Sequence, residues 1–339
     1  MRAIGMTDEG RAERQVYAAV DLGTNNCRLL VAKPAGDSFR VVDAFSRIVR
    51  LGEGVGRSGE LTEAAIDRTV EALTVCAKKM RRRGVTRARN VATAACRLAS
   101  NCDSFLARVK AETGLSLEII STGEEARLSV AGCSPLLDGV CEHALVFDIG
   151  GGSTELTWVT ACPGRAPHVE DWISLPHGVV SLAEAYGGEA VSADAYRAMV
   201  GLVADLLQPF EARHRLNEHI SSGMLQMLGT SGTVTTLAGI HLDLARYDRS
   251  RVDGLWMRFD DAASITQRLL GMDFEQRATH PCIGRERADL VLAGCAILEG
   301  ICETWPVGRL RVGDRGLREG MLLSMIHGDR CVTAGKGKD

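Results

Sequence analysis

Apolar and polar positions follow one another along the chain in two similar series of predicted elements. In the first series, apolar runs separated by glycine-containing turns predict three successive strands, at residues 16–20, 29–32 and 40–50. Apolar positions with a helical period then predict a long helix over residues 61–83. The series ends with a strand at 90–93, a helix at 100–113, a strand at 115–120 and a helix at 124–131. Because strand and helix alternate here, we expect a meander that leads into parallel strands.

The second series begins after a polar break at residues 134–142. It repeats the order of three strands (144–148, 154–159, 169–175), two helices (179–186, 193–214) and a strand (224–229). It then continues with helices at 231–240, 260–270 and 288–304, a strand at 309–312 and a closing helix at 317–327. We therefore predict two domains, residues 16–138 and 139–330, between a flexible extension of residues 1–15 and a flexible tail of residues 331–339.

Composition narrows the classes of function. The formal net charge of −3 argues against a protein that coats nucleic acid, and no apolar run approaches the roughly 20 residues that span a bilayer. The first 15 residues are polar and lack the apolar core of a signal peptide. We expect a cytoplasmic protein whose partner is neither a membrane nor a specific nucleic acid. The 11 cysteines are scattered without metal-ligand spacing, which predicts reduced thiols.

Two short turns share one sequence pattern. Residues 21–25 (Asp-Leu-Gly-Thr-Asn) and 148–154 (Asp-Ile-Gly-Gly-Gly-Ser-Thr) each end an apolar run with an aspartate and continue with glycine and a polar side chain. Glycine lets backbone N–H groups approach an anion that a Cβ would hold away, and the carboxylate can hold a cation that bridges to the same anion. One such turn is equally well an ordinary hairpin turn, but two copies indicate a duplicated fold with facing phosphate loops.

A third stretch, residues 229–233 (Gly-Thr-Ser-Gly-Thr), again places glycine and hydroxyls between an apolar run and a predicted helix. The N-terminus of that helix is suited to an anion. Phosphate chemistry is therefore the leading interpretation. The residues predicted to hold phosphate are Gly23, Thr24, Asn25, Gly150, Gly151, Gly152, Ser153, Ser231, Gly232 and Thr233.

The repeated organisation is that of ribonuclease-H-like domains, as in the actin-like ATPase superfamily, where two α/β units close on a phosphate-bearing ligand in an interdomain cleft. Six motifs in order, at residues 21–25, 92–97, 122–127, 148–155, 229–233 and 316–320, resemble the exopolyphosphatase/guanosine pentaphosphate phosphohydrolase (Ppx/GppA) family. The resemblance spans roughly residues 17–328. Longer members carry further C-terminal helical domains, so this chain resembles the short form, and the resemblance leaves processivity and a homodimer open.

The resemblance also implies site residues. It places the catalytic glutamate at Glu125, the second of the pair in Thr-Gly-Glu-Glu-Ala-Arg, where it would act as the general base that hydrolysis needs. Glu124 is expected only to favour the helix N-terminus. Arg97 is expected to clamp a phosphate with its planar fork, a role that the residue alone leaves evenly balanced against a surface position. The candidate ligands of a magnesium ion are Asp148, Glu155 and Asp21.

The hypothesis that results is a magnesium-dependent hydrolase, with a monovalent cation such as K⁺ as an optional second ion. It would release terminal phosphate from inorganic polyphosphate, guanosine pentaphosphate or both, and the sequence does not rank them. Two alternatives keep the same fold: a guanosine tetraphosphate- or nucleotide-binding regulatory module without turnover, and a phosphotransferase that consumes ATP.

Two further sets of basic residues are expected to be structural. Arg318, in the predicted closing helix, is assigned to packing or a salt bridge. A basic run at the end of the first long helix could steer an anionic polymer, but a solvated helix end is the favoured interpretation. The run consists of Lys78, Lys79, Arg81, Arg82 and Arg83, with Arg87 and Arg89 nearby.

Overall fold

The first sheet continues the meander into parallel strands. A computed structural model describes residues 15–161 and 166–335, and its first sheet has the order β3-β2-β1-β4-β5. Strand β1 is antiparallel to β2 and parallel to β4, as the pattern predicted. The strands are β1 (Tyr17–Leu22), β2 (Asn26–Ala35), β3 (Ser38–Ile48), β4 (Arg87–Ala92) and β5 (Glu118–Ile119). The helices of this half are α1 (Val55–Ser58), α2 (Glu63–Arg82), α3 (Ala94–Leu98), α4 (Cys102–Thr113) and α5 (Thr122–Cys133).

The second sheet repeats this arrangement. Its order is β10-β11-β9-β6-β7-β8, and β6 is antiparallel to β7 and parallel to β9. The predicted fold class, two related α/β units, is therefore confirmed. The strands are β6 (His143–Ile149), β7 (Thr154–Thr160), β8 (His168–Leu175), β9 (Leu225–Thr230), β10 (Trp256–Arg258) and β11 (Arg309–Gly313). The helices are α6 (Val179–Tyr186), α7 (Ala193–His214), α8 (Leu216–Ser221), α9 (Ser231–His241), α10 (Arg249–Val252), α11 (Phe259–Leu270), α12 (Phe274–Thr279), α13 (Val291–Thr304) and α14 (Leu317–Gly335).

Strand β1 is buried on both faces, which explains its continuous apolar sequence. Because side chains alternate along a strand, Ala18 and Val20 face the core formed with α2 and α4. Tyr17 and Ala19 face the opposite side, where they pack with residues of α14. The central strand is therefore covered by one helical layer from its own half and by another from the end of the chain.

Helix α14 lies on the first sheet although it follows the second half in sequence. Its buried residues Met321, Leu322 and Ile326 join the cluster that contains Tyr17 and Leu30 of the first sheet. The apolar period of α14 predicted a helix but carried no information about which sheet it covers. The structure thus shows that the last segment of the predicted second domain packs against the first one.

Several boundaries differ from the prediction. Strand β4 starts at Arg87, earlier than expected, because residues 87–92 all pair with β1. The charged side chains of Arg87 and Arg89 hid the apolar pattern in the sequence. Strand β5 is shorter, since it pairs only with the last residues of β4 at the sheet edge. Helices α1, α3, α8, α10 and α12 are too short to show a period. The predicted extension up to residue 14, and residues 336–339 of the predicted tail, lie outside the described residues.

The described part of the chain agrees with two expectations drawn from composition. No helix in it is long and apolar enough to cross a membrane. Nine cysteines whose side chains the structure describes are free thiols, and of these Cys76 and Cys295 are buried in the cores as small apolar side chains. Cys162 lies outside the described residues.

Helices α5 and α14 cross at two glycines. A Cβ on Gly132 of α5 would lie 2.0 Å from the carbonyl oxygen of Gly316, and one on Gly320 of α14 would lie 1.9 Å from the carbonyl oxygen of Leu128. Both distances are far below van der Waals contact with rigid backbone. The crossing sets the position of α5, the helix that carries Glu125, relative to the start of α14.

We predict that Gly320→Ala destabilises the protein by about 1–3 kcal/mol, because the new methyl group forces the two helices apart. Gly328→Ala in the same helix is the matched control. No atom lies within 4 Å of a Cβ at that position, so alanine should be neutral or stabilising by up to about 1 kcal/mol. Urea denaturation of both variants measures the difference. Equal stability of the two variants would contradict the close crossing.

Candidate functional site

The two aspartate–glycine turns have the same hydrogen bond at the ends of equivalent strands. Gly23 N donates to Asn26 O at 2.9 Å after β1, and Gly150 N donates to Ser153 O at 3.0 Å after β6. Each turn therefore leads its chain back into the next antiparallel strand, β2 or β7. The sequence duplication is thus a duplication of backbone geometry.

The two turns pack directly against each other. A Cβ on Gly151 would lie 3.1 Å from the backbone nitrogen of Asn25, and one on Gly152 would lie 2.6 Å from Oγ1 of Thr24. Any larger residue would separate the turns. The absence of side chains at these glycines therefore allows the close contact between the halves.

The facing turns line a cavity of about 70 Å³, here called the inner cavity. It collects most of the residues that the sequence singled out. These are Asp21, Gly23, Thr24, Asn25, Glu125, Asp148, Gly150, Gly151, Gly152, Ser153, Glu155 and Ser231. Gly232 and Thr233 line cavities beside it, and Arg97 does not belong to its lining.

The third turn brings the start of α9 to the inner cavity. Ser231, the first residue of α9, has a φ of +79°, which is unfavourable for a residue with a Cβ. Such strain persists only where the surrounding structure requires it, and it is typical of functional sites. Helix α9 is 11 residues long, so its N-terminus supplies free N–H groups and a positive dipole end at the cavity wall.

The structure separates the two neighbouring glutamates at the start of α5. Glu124 forms ion pairs with Arg89 at 3.0 Å and Arg127 at 2.8 Å and lies away from the inner cavity. Glu125 lines the cavity, and its Oε2 accepts a hydrogen bond from Nη1 of Arg97 at 2.8 Å. The same Nη1 also donates to the carbonyl oxygen of Ile120 at 3.0 Å. Arg97 therefore holds Glu125 in place, whereas the sequence had suggested a direct contact with phosphate.

The surroundings of Glu125 favour a base. Burial raises the pKa of Glu125 well above its ordinary value, and the nearby carboxylate of Glu155 raises it further. Arg97 lowers the pKa and keeps the charged form accessible. A carboxylate whose pKa is moved upward toward neutrality is suited to accept a proton from water.

Three further carboxylates lie around the inner cavity. Burial raises the pKa of Asp21 and of Asp148, while Arg28 lowers both. Burial also raises the pKa of Glu155 to about 7. Its Oε1 accepts hydrogen bonds from Oγ of Ser153 at 2.6 Å and Oγ of Ser174 at 2.9 Å, so Glu155 ties the second turn to β8.

The carboxylates fit a magnesium ion better than a metal ion whose ligands all come from protein side chains. The described residues hold no cluster of three or more His, Cys, Asp or Glu side chains placed to bind a metal. Magnesium requires none, because it is usually held by one or two carboxylates together with waters and substrate phosphates. Asp21 and Asp148 offer all-oxygen ligands of this kind on opposite halves, and Glu155 has one oxygen already engaged.

A second cavity, here called the outer cavity, continues from the inner one and has a volume of about 420 Å³. Four arginines that the sequence had not assigned to the site line it: Arg28, Arg287, Arg315 and Arg318. Arg28 lies opposite Asp21 in the register of β1 and β2. A prediction of that register from the sequence would have placed Arg28 beside the site. Arg287 ends a single turn of 3₁₀ helix (Arg285–Arg287), which no pattern in the sequence marked.

The predicted basic run is engaged in surface ion pairs. Lys79, Arg82 and Arg83 contact Asp43, which explains why the pKa of Asp43 is lowered. Arg89 contacts Glu118 and Glu124. These contacts support the interpretation as a solvated helix end with local partners.

The two halves are also joined at the rim of the cleft. Arg50, in the first half, forms a bidentate ion pair with Asp289 at 2.8 and 3.0 Å, and its Nη2 donates to Glu286 O at 3.1 Å. Gly54 N donates to Glu184 Oε1 at 2.9 Å. The pair at Arg50 fixes the segment that carries Arg287.

Comparisons with known proteins agree on one family. Residues 30–328 match the model of the Ppx/GppA phosphatase family. The chain is 31% identical over 325 residues to exopolyphosphatase 2 of Mycobacterium tuberculosis (strain CDC 1551 / Oshkosh), and the match covers 91% of this chain and 98% of that protein.

Solved structures are similar over almost the whole chain. A crystal structure of the Aquifex aeolicus member of the Ppx/GppA family matches with a TM-score of 0.74 and 28% identity, covering 93% of this chain and 98% of that one. An exopolyphosphatase from Cytophaga hutchinsonii ATCC 33406 shares the fold with a TM-score of 0.83 at 23% identity, with coverage of 93% and 98%. The sequence motifs, the facing turns and these matches show that the chain belongs to the Ppx/GppA phosphatase family.

Proposed function

We propose that this protein is an exopolyphosphatase, which hydrolyses the terminal phosphoanhydride bond of inorganic polyphosphate. The observation that carries the proposal is the position of Glu125, a buried carboxylate that faces the phosphate-binding turns across the inner cavity. The relative named exopolyphosphatase 2 supports the same substrate. Phosphoryl transfer depends mainly on positioning and charge stabilisation, and the described residues offer groups for both.

The terminal phosphoryl group would bind between the two turns. The N–H groups of Gly23 and Gly150 are bonded within their turns. The remaining backbone N–H groups of the turns and those of the α9 N-terminus are available to the phosphoryl oxygens, since the glycines keep side chains out. Ser231 lines both the inner and the outer cavity, so its hydroxyl can reach a group that lies at their junction. The phosphorus would then lie between Glu125 and the outer cavity.

Glu125 would act as the general base. It accepts the proton of a water that attacks the terminal phosphorus, and the charged form is maintained by the hydrogen bond from Arg97. Arg97 is also bonded to the carbonyl of Ile120, which holds the guanidinium in place, so the carboxylate cannot swing out of the cavity without losing its hydrogen bond to Arg97. This fixed geometry is what a single in-line attack requires.

A magnesium ion would bind to Asp21 and Asp148. When bound, it would neutralise charge on the phosphate oxygens and on these two carboxylates. Burial raises the pKa of Asp21, and the negative charge of Asp148 raises it further. A bound cation would offset this repulsion. Glu155 would support the site through Ser153, which its carboxylate holds at the second turn.

The rest of the polyphosphate chain would lie in the outer cavity. Each phosphate unit carries about one negative charge, so cations along the path are needed. Arg28 and Arg287 line this cavity, and among the described residues neither guanidinium forms a hydrogen bond or ion pair. They are therefore free to contact an anionic chain.

Guanosine pentaphosphate is the second candidate substrate. Tyr247 and Ile283 line the outer cavity and not the inner one, and an aromatic ring together with an aliphatic side chain favours a nucleobase over a bare phosphate chain. The reacting end would be the same terminal phosphoanhydride. An assay that offers both substrates to the protein at equal concentration ranks them.

We predict that Glu125→Gln lowers the rate of phosphate release from polyphosphate by about 10²- to 10⁴-fold, because the amide cannot accept the proton of water. Glu124→Gln is the matched control at the neighbouring position, and its rate should stay within about threefold of the wild type, a change far smaller than loss of a general base. Undiminished release by Glu125→Gln would remove Glu125 from the mechanism. Binding without release by the wild type would favour a regulatory module.

The acidic limb of the pH–rate profile should depend on Arg97. The base works only when deprotonated, so kcat/KM falls as the pH drops through the pKa of Glu125. Arg97 lowers that pKa, and Arg97→Met should therefore move the acidic limb to higher pH. Arg97→Lys keeps the charge and should move it less. An unchanged limb in Arg97→Met would contradict the coupling.

Magnesium binding should be visible without any turnover. We predict that Mg²⁺ raises the Tm of the wild type, because a ligand that binds only the folded state stabilises it. Asp148→Asn should remove most of this rise, whereas Asp67→Asn, on an exposed surface, should retain it. Thermal unfolding with Mg²⁺ or EDTA gives the measurement. An equal rise in Asp148→Asn would exclude Asp148 as a ligand.

A further inference from the structure

Arg318 is the second residue of α14 and lines the outer cavity. The sequence assigned it to packing or a salt bridge, and among the described residues the structure shows no salt bridge to it. Its guanidinium forms no hydrogen bond or ion pair with any described residue. The side chain is therefore a cation that faces the cavity without a protein partner.

Two carboxylates in this part of the structure are engaged by other arginines. Nη2 of Arg249 donates to Oε1 of Glu319 at 2.9 Å, and Nε of Arg315 donates to Oδ2 of Asp253 at 2.9 Å. Arg249 and Arg315 therefore already have carboxylate partners. Arg318 differs from them because nothing in the folded protein is bonded to its charge.

An unpaired cation in such a place is unfavourable for the empty protein. Burial lowers the pKa of Arg318 and is the largest influence on it, ahead of the attraction of Glu319 and Asp21. A buried charge without a hydrogen-bonded partner costs free energy unless an ion of opposite charge offsets it. The site is therefore complementary to an anion that enters the outer cavity.

The two cavities show on which side of the reacting phosphorus Arg318 lies. Asp21, Asp148 and Ser231 line both cavities and so mark their junction. Glu125 lines only the inner cavity, and Arg318 lines only the outer one. In an in-line displacement the attacking and leaving oxygens lie on opposite sides of phosphorus. With the attacking water at Glu125, the leaving oxygen points toward the cavity of Arg318.

We infer that Arg318 is a catalytic residue that stabilises the negative charge on the leaving polyphosphate, an assignment that rests on the proposed hydrolysis. The water oxygen forms a bond to the terminal phosphorus and gives its proton to Glu125. The bond from that phosphorus to the bridging oxygen breaks, and its electron pair stays on the bridging oxygen. The N–H groups of Arg318 donate to this oxygen, or to the oxygens of the phosphate that carries it, as the charge develops.

Arg318→Gln and Arg315→Gln form a matched pair for the test. Both residues line the outer cavity, but only Arg315 has a carboxylate partner. With tripolyphosphate as substrate, Arg318→Gln should lower kcat about 100-fold, as expected for loss of one donor to a developing charge. Its Tm should equal or exceed that of the wild type, because an unpaired buried cation is removed. Arg315→Gln should lower the Tm, because Asp253 loses its partner, and should lower kcat far less.

A second measurement separates a missing charge from a damaged fold. Added guanidinium ion should restore part of the activity of Arg318→Ala and none of that of Arg315→Ala. A kcat for Arg318→Gln within about threefold of the wild type would overturn the inference, since a donor to the developing charge is worth far more. The inference would also be overturned if Arg318→Gln lost Tm together with activity and guanidinium ion restored no activity to Arg318→Ala.

Failure of the proposed function gives a different result. If the wild type releases no phosphate from polyphosphate or tripolyphosphate, the hydrolase itself is refuted. Titration of inorganic tripolyphosphate by calorimetry then decides about Arg318. Binding at least tenfold tighter in the wild type than in Arg318→Gln supports its contact with the phosphate chain. Equal binding refutes it.

Discussion

The site depends on one contact, the direct packing of two glycine turns. Because Gly151 and Gly152 have no side chains, the second turn lies against Thr24 and Asn25 of the first. Equivalent strand ends therefore meet, and the aspartates that precede the turns enter one small cavity. A duplicated fold gains a shared site only where its copies face each other this closely. The glycines supply that closeness and leave backbone donors available for phosphate.

The close packing of the turns brings several carboxylates to one small cavity. The arginines near this cavity differ in whether they are bonded to a carboxylate. Arg97 is bonded to Glu125 and sets its position and pKa. Arg28 stands beside Asp21 across neighbouring strands. Arg318 has no bonded partner among the described residues. Cations that are already paired organise the protein, whereas an unpaired one facing a cavity is available to a ligand. The bonded partners of each arginine, more than its residue type, distinguish these roles.

Helix α14 connects stability with the site. Its apolar face covers the first sheet through Met321 and Ile326, while its first residues form part of the wall between the inner and outer cavities. Gly320 lets it cross α5, the helix that carries Glu125. The positions of Glu125 and of the cavity wall that carries Arg318 are therefore coupled through one helix crossing, although the two helices are far apart in sequence.

The sequence by itself determined the duplicated strand order and the turns at Asp21 and Asp148, because apolar period and glycine pattern are local properties. It also singled out Glu125 through a motif. Only the tertiary structure decided that Arg97 contacts Glu125, that α14 covers the first sheet, and that Arg318 lacks a partner. An arginine in a sequence carries the same charge whether it is paired or free. Its role is set by which carboxylates lie within hydrogen-bond distance, and that is known only when distant segments are brought together.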